Sequence, residues 1–300
     1  MRRHLPLLAL LVLPLPGAAQ EWKKDAIKYV QSLQTSTGGF LSMQPRPEIR
    51  LRPTLKATSA GLHSLRYLDG KVPDTAGAAK FVAGCYDSAT GGFADFAGGM
   101  PDIYISAVGV MAIKELDPWA GRGTLPIPPK DKFLEKAAAY LSQAKTFDDV
   151  RIAVAGLEAF DLKAPKAKEW LESLAKDRNA DGTWGKGDGQ ARDTGGHAVA
   201  WMRLGAKLEH RDAVLKAMRD GQRKDGGWGK AGEPSDLETT YRVMRCFMML
   251  KESPNDVPSL QAFIARCQNK DGGFGIQPGQ PSMVAPVYFA AIIEHWLAKK

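Results

Sequence analysis

The sequence predicts an all-α protein built from six helical hairpins, and three observations predict it. First, a tight turn recurs as Thr37-Gly38-Gly39-Phe40, Thr90-Gly91-Gly92-Phe93, Asp181-Gly182-Thr183-Trp184, Asp225-Gly226-Gly227-Trp228 and Asp271-Gly272-Gly273-Phe274. Second, each copy lies between two segments whose apolar residues follow a helical period, as in Ala26, Val30 and Leu33 or Leu260, Ile264 and Cys267. Third, almost no stretch alternates as a strand would. The turn aromatics are separated by 53, 91, 44 and 46 residues. The gap of 91 spans two periods, so a degenerate copy is expected at Lys145-Thr146-Phe147-Asp148.

In chain order, the first helices of the hairpins are expected at 22–33, 75–85, 132–144, 166–175, 212–221 and 257–267. Their partners are expected at 54–68, 103–116, 150–162, 194–204, 237–250 and 284–297. Asp102, Asp149, Asp193 and the Ser235-Asp236 pair stand where N-caps would accept orphan backbone N–H groups. A lone hairpin cannot bury its apolar stripe, so neighbours must stack. The second helices carry small residues (Ala57, Ala107, Ala153, Ala198, Ala290 among them), which permit close contact on two sides. That suits an inner ring around a cavity; an open superhelix is the alternative.

Ahead of this domain, Met1-Arg2-Arg3-His4 is basic and Leu5 to Leu15 is apolar apart from Pro6 and Pro14. Gly17-Ala18-Ala19 supplies small residues at a cleavage position. Residues 1–19 are therefore read as a secretory signal, residues 21–300 as one domain, and the product as exported, periplasmic or secreted. No later run is long enough to cross a bilayer. The formal charge is +8, or +6 without Arg2 and Arg3, with no dense basic run, so nucleic acid is not an expected partner. Three cysteines are too few for a disulfide framework, and none belongs to a Cys-x-x-Cys pair. A hydrophobic fraction of 44% and charged fraction of 25% exclude a disordered chain and a multi-span membrane protein.

The runs Gln222-Arg-Lys-Asp-Gly-Gly-Trp-Gly229, Ser235-Asp236-Leu-Glu-Thr-Thr-Tyr241 and Gln268-Asn-Lys-Asp-Gly-Gly-Phe-Gly275 resemble the prenyltransferase/squalene-cyclase repeat. The resemblance covers about residues 21–300 and implies an α/α toroid, a double ring of helices around a cavity. Protein prenyltransferase β subunits, the nearest in size, hold zinc through an Asp, a Cys two residues later and a distant His. Asp236 matches the Asp, with one gap, but Glu238 takes the Cys position and Pro286 falls near the His, so zinc is disfavoured. Class II terpene cyclases protonate substrate with an Asp-x-Asp-Asp motif. Its nearest match is Thr146-Phe147-Asp148-Asp149, which lacks the first carboxylate. The Cys-Gly-Glu-Gln run of complement-like thioester toroids is absent.

Asp236, Glu238, Asp148 and Asp149 are thus the catalytic candidates, with N-capping as their plainer role. Candidate ligand-binding residues are Asp102, Tyr104, Asp193, His197, Trp201, Tyr241, Arg242, Arg245 and Tyr288. Glu238, Arg242 and Arg245 share one helical face, where the cations would hold a phosphate or carboxylate or simply pair with Glu238. Asp177, Asn179 and Asp181, with Asp188, have the spacing of half a calcium loop, or of a plain solvated turn. The expected function is an exported binding protein taking a lipid-like (isoprenoid) or peptide ligand in an apolar bore behind an acidic lip. A prenyltransferase-like or terpene-cyclase-like enzyme is one alternative; a structural module that binds another protein at its rim is the other.

Overall fold

A computed structural model describes residues 16–117, 119 and 126–299. Twelve helices appear among them: α1 (Pro16–Ser32), α2 (Leu55–Tyr67), α3 (Thr75–Gly84), α4 (Ile103–Leu116), α5 (Lys130–Leu141), α6 (Phe147–Glu158), α7 (Ala167–Lys176), α8 (Gln190–Arg203), α9 (Arg211–Asp220), α10 (Leu237–Met249), α11 (Val257–Arg266) and α12 (Val284–Ala298). Each even-numbered helix packs on the even-numbered helices before and after it, and α12 packs on α2, which closes an inner ring. The odd-numbered helices pack outside it. The apolar run Leu5–Leu15 lies outside the described residues, and α1 runs through the expected cleavage point at Ala19. None of the described helices is long and apolar enough to cross a membrane.

Closure repeats a bond used inside the ring. The first N–H of α2 reaches the Asp95 carbonyl (2.8 Å), and that of α10 reaches Ile276 (2.9 Å). The first N–H of α12 makes the same bond to Ser42, in the first unit (2.9 Å). Trp22 then packs edge-on against Phe274 with ring centroids 5.9 Å apart.

The turn motif is explained by what its residues meet. Phe40, Phe93, Trp184, Trp228 and Phe274 are all fully buried between the two rings. Four of their backbone N–H groups would be orphaned there, and each donates to a hydroxyl in the following inner helix. Phe40 bonds Thr58 (2.9 Å), Phe93 bonds Ser106 (2.8 Å), and Trp184 and Trp228 bond Thr194 and Thr240 (both 3.1 Å). The first Gly of each turn is left-handed, as at Gly226 (φ 93), and lies against the next outer helix or its cap. A Cβ there would collide with the Ser259 carbonyl.

Three expectations change. Lys145-Thr146-Phe147-Asp148 is not a turn copy: Thr146 is the N-cap of α6 and Phe147 its first residue. With no Gly pair to turn left-handed, residues 142–146 simply link α5 to α6. Asp149 is not a cap either; it sits in the first turn, donating its N–H to the Thr146 hydroxyl (3.2 Å) and accepting that hydroxyl on its carboxylate (2.8 Å). Asp193 likewise lies within the first turn of α8, which starts after Gly189 (φ 113). Asp102 and Asp236 do cap α4 and α10.

Candidate functional site

Because the inner helices run parallel, their side chains meet along the ring axis at recurring distances from the caps. Five residues after a cap stand Arg151, Tyr241 and Tyr288, following Thr146, Asp236 and Met283. Nine after a cap stand His63 and Arg245, following Thr54 and Asp236. Tyr67 and Glu115 come thirteen after theirs, Thr54 and Asp102. This stripe lines the bore. It is polar, which corrects the expected apolar lining.

Tyr241, Arg245 and Tyr288 form the centre. Arg245 donates from Nε (3.1 Å) and Nη2 (2.7 Å) to the Tyr241 hydroxyl oxygen, which lies 3.1 Å from the Tyr288 hydroxyl. The guanidinium also stacks 4.9 Å from the Trp296 ring centre. Among the described residues no carboxylate pairs with Arg245. Burial works against the Arg245 charge, but Tyr241, Tyr288 and Tyr67 outweigh it and hold the guanidinium protonated beyond its usual range. Burial also pushes the Tyr241 phenol up. Arg245, the Tyr288 hydroxyl and Arg203 more than offset that, leaving Tyr241 below the ordinary tyrosine value. Tyr288 is pushed well above that value, by burial and then by Tyr241.

Around this centre lie three more guanidiniums. Arg203 is only 8% exposed, with Nε 2.8 Å from the Glu158 carboxylate but out of hydrogen-bond alignment. Arg151 is 15% exposed, 3.6 Å from Asp148, and its buried Nε also has no hydrogen-bond partner. Burial and a neighbouring cation both act against their charges: Arg245 beside Arg203, and Arg242 beside Arg151. Arg242 pairs with Glu238 at 2.5 Å, as the shared helical face allowed. Burial pushes the Glu238 carboxyl up, yet Arg242, Arg151 and Arg192 outweigh it and keep the group ionised below its usual range. On the far side His63 donates Nδ1–H to the Ser59 carbonyl (2.7 Å), and Glu115 pairs with Arg66.

The two mouths differ. The N-terminal lip is expected to collect Asp102, Asp149, Asp193, Asp236 and Glu238; these residues and Asp148 stand at or near the starts of α4, α6, α8 and α10. The C-terminal mouth is an open depression of about 1170 Å³ where Arg66, Arg219, Lys251 and Lys299 outnumber Asp69 and Glu252. Tyr67 and Trp296 form its wall, and Arg245 stands behind Trp296.

The remaining predicted residues fall elsewhere. Asp236 spends both carboxylate oxygens on the first turn of α10, accepting from the Thr239 N–H (2.7 Å) and hydroxyl (2.8 Å). Asp102 accepts the Ile105 N–H at 2.8 Å. Tyr104 is exposed at the lip, with the Lys56 ammonium 5.2 Å from its ring. Asp193 faces Arg192 at 3.3 Å and accepts His197 Nδ1–H on its backbone carbonyl at 2.8 Å. His197 stacks on Phe147 with centroids 3.6 Å apart and planes 1° off parallel. Trp201 packs against Trp184 and donates to the Lys207 carbonyl (3.0 Å). These two rings belong to the packing around Trp184 rather than to the bore.

The segment with half a calcium loop's spacing forms the repeat turn around Asp181 and Gly182. Asp181 accepts the Thr183 N–H (3.0 Å) and hydroxyl (2.7 Å), and Asn179 donates to Thr183 and to the Gly185 carbonyl. Asp188 is turned away to Arg223 (2.9 and 3.1 Å) and the Gly232 N–H. The loop is stitched by its own hydrogen bonds. Among the described residues no three His, Cys, Asp or Glu side chains gather as a metal-binding group.

The chain belongs to the prenyltransferase alpha-alpha toroid domain family, whose model matches residues 62–119 and 133–294. No curated protein matches it by sequence. Among solved structures it is similar to a glycosidase variant in complex with glucose, at 13% identity over 96% of this chain and 98% of that one, with a TM-score of 0.60. It is also similar to the type II terpene cyclase MstE from Scytonema, at 10% identity over 95% and 98% of the two chains, with a TM-score of 0.58. A protein from Actinoplanes gives 11% identity, coverage of 92% and 98%, and a TM-score of 0.55. At these identities the likeness concerns the fold.

Proposed function

We propose that this toroid is an exported protein that binds a small organic anion in its bore, a carboxylated or phosphorylated molecule with a polar, sugar-like body. The observation that carries this is the crowding of like charges in the bore, Arg203 beside Arg245 and Arg242 beside Arg151, with no carboxylate bonded to Arg245 among the described residues. Arg151 and Arg203, each disfavoured by burial and by a second cation, would both gain from an incoming negative charge. The basic C-terminal mouth favours entry of anions on that side. A wholly apolar isoprenoid would strip water from these guanidiniums without replacing its hydrogen bonds, which disfavours the lipid-like ligand. The rings of Tyr67, Tyr241 and Tyr288 offer flat walls to a sugar-like body, and a solved toroid of this shape carries glucose. Export rests on the basic start and apolar run of residues 1–19.

Thermal denaturation with glucuronate and a sugar phosphate, against glucose and farnesol, tests this. An anion at about a hundred times its dissociation constant stabilises by about 2.7 kcal/mol, a rise of several degrees, and Arg245→Met should abolish the rise. Stabilisation by farnesol and not by either anion would overturn the reading.

A further inference from the structure

We infer that Tyr241 is the general base of the bore: its phenolate oxygen, fixed by Arg245 and Tyr288, takes a proton from an acidic O–H or C–H beside the anionic group of the bound molecule. The substrate part of this inference rests on the organic-anion reading above; the phenolate does not.

The geometry is that of an acceptor. The Tyr241 oxygen receives two N–H bonds from one guanidinium, and its third neighbour is a hydroxyl able to donate. A neutral phenol must still place its own proton, and among the described residues Tyr288 is the one hydroxyl bonded to it. A buried guanidinium also needs a counter-charge, and the oxygen it holds is that of Tyr241. The surroundings agree from every side. From α8 comes Arg203, itself paired with Glu158; from α12 come Tyr288 and the Trp296 ring. On α10 itself Arg245 acts on Tyr241, and the charge of Glu238 is taken by Arg242. Across the bore stand Tyr67 and His63 of α2, with His63 kept neutral by burial, and Arg151 of α6. Glu115 of α4 is engaged by Arg66 and His63.

In the step, the substrate O–H or C–H bond breaks and an O–H bond forms on Tyr241. The bonding pair stays on the substrate, where Arg203 and Arg245 face the new negative charge. Tyr241 and Arg245 keep partial solvent exposure, so a ligand in the bore can touch them.

The test is a pH titration of tyrosinate absorbance on the intact, ligand-free protein. Tyr29, Tyr67, Tyr86, Tyr140 and Tyr288 are all pushed above the ordinary value, so none of these five supplies an early step, and the Tyr241→Phe variant assigns it. The expected result is a step of about one-seventh of the total amplitude, from one of seven tyrosines, below the ordinary value of 10.0. Tyr241→Phe should remove it. Tyr288→Phe, which deletes one hydroxyl and keeps the ring packing, should move it to higher pH, as should Arg245→Met. Absence of the early step in the wild type, or its survival in Tyr241→Phe, would overturn the inference. An early step in a protein that no anion stabilises would sink the ligand reading and leave the phenolate standing.

Discussion

Arg242 Nη1 stands 3.8 Å from the Asp148 carboxylate, although α8 separates their helices in the ring. The contact narrows the N-terminal end of the bore and is continued by Glu238 on one side and Arg151 on the other. Glu238 is the carboxylate of this group whose ionisation is tied to folding. Its carboxyl is depressed in the folded state, so its contribution is full above the unfolded value of 4.5 and is lost as pH falls through the lower folded value. Its side chain is 40% exposed, so solvent screens the effect and the contribution is modest. Urea midpoints measured from pH 6 to pH 2 should therefore fall less steeply for Glu238→Gln than for the wild type.

His197 gives the opposite residue type and the same direction. Burial lowers its folded value below 6.5, against the partial help of the Asp193 carbonyl. The unfolded chain then binds the proton first. Stability is full above pH 6.5 and declines as pH falls below it, levelling off once the folded ring also protonates. His197→Gln should flatten that decline in denaturation midpoints between about pH 7 and pH 5. It should also lower stability at neutral pH by about 1 kcal/mol through loss of the Phe147 stack.

The fold was legible because its signals are local. A left-handed glycine beside a buried aromatic and a 3.6-residue period each follow from backbone sterics and can be read within a dozen residues. The bore was legible only where the cap was. Asp236 does cap α10, so the sequence count along that helix starts at its true first turn, and Glu238, Arg242 and Arg245 share the face expected of them. The caps of α6 and α8 lie three or four residues earlier than Asp149 and Asp193. That error rotates the inferred face, so Arg151 and Arg203 were missed while His197 was drawn inward. Counting Arg151 from Thr146, as Tyr241 is counted from Asp236, would have found it. The polarity of the bore had no sequence signal of its own, since isolated Arg and Glu on a helix read equally well as a solvated face.

The buried hydroxyls of the inner helices make a repeat-level prediction. Thr240 accepts the N–H of Trp228 at 3.1 Å, and both residues are almost fully buried. Thr240→Val keeps the shape and removes the acceptor, leaving an N–H with no water to turn to. The expected cost is about 1–3 kcal/mol in chemical denaturation. Thr240→Ser retains the oxygen and should lose much less.

Gly226 and Gly98 separate backbone strain from collision. Both are left-handed, at φ 93 and φ 76. A Cβ at Gly98 meets nothing within 4 Å, so Gly98→Ala carries only the conformational penalty, about 1 kcal/mol. A Cβ at Gly226 would run into the Ser259 carbonyl and the Leu260 nitrogen, backbone atoms of α11 that cannot rotate aside. Gly226→Ala must therefore push the turn off the next outer helix, where Gln222 also bonds the Asp256 carbonyl at 2.8 Å. Denaturation midpoints should show Gly226→Ala losing at least twice as much as Gly98→Ala. Equal losses would mean that contact between successive outer helices adds nothing to the ring, and that the recurring glycine answers to φ alone.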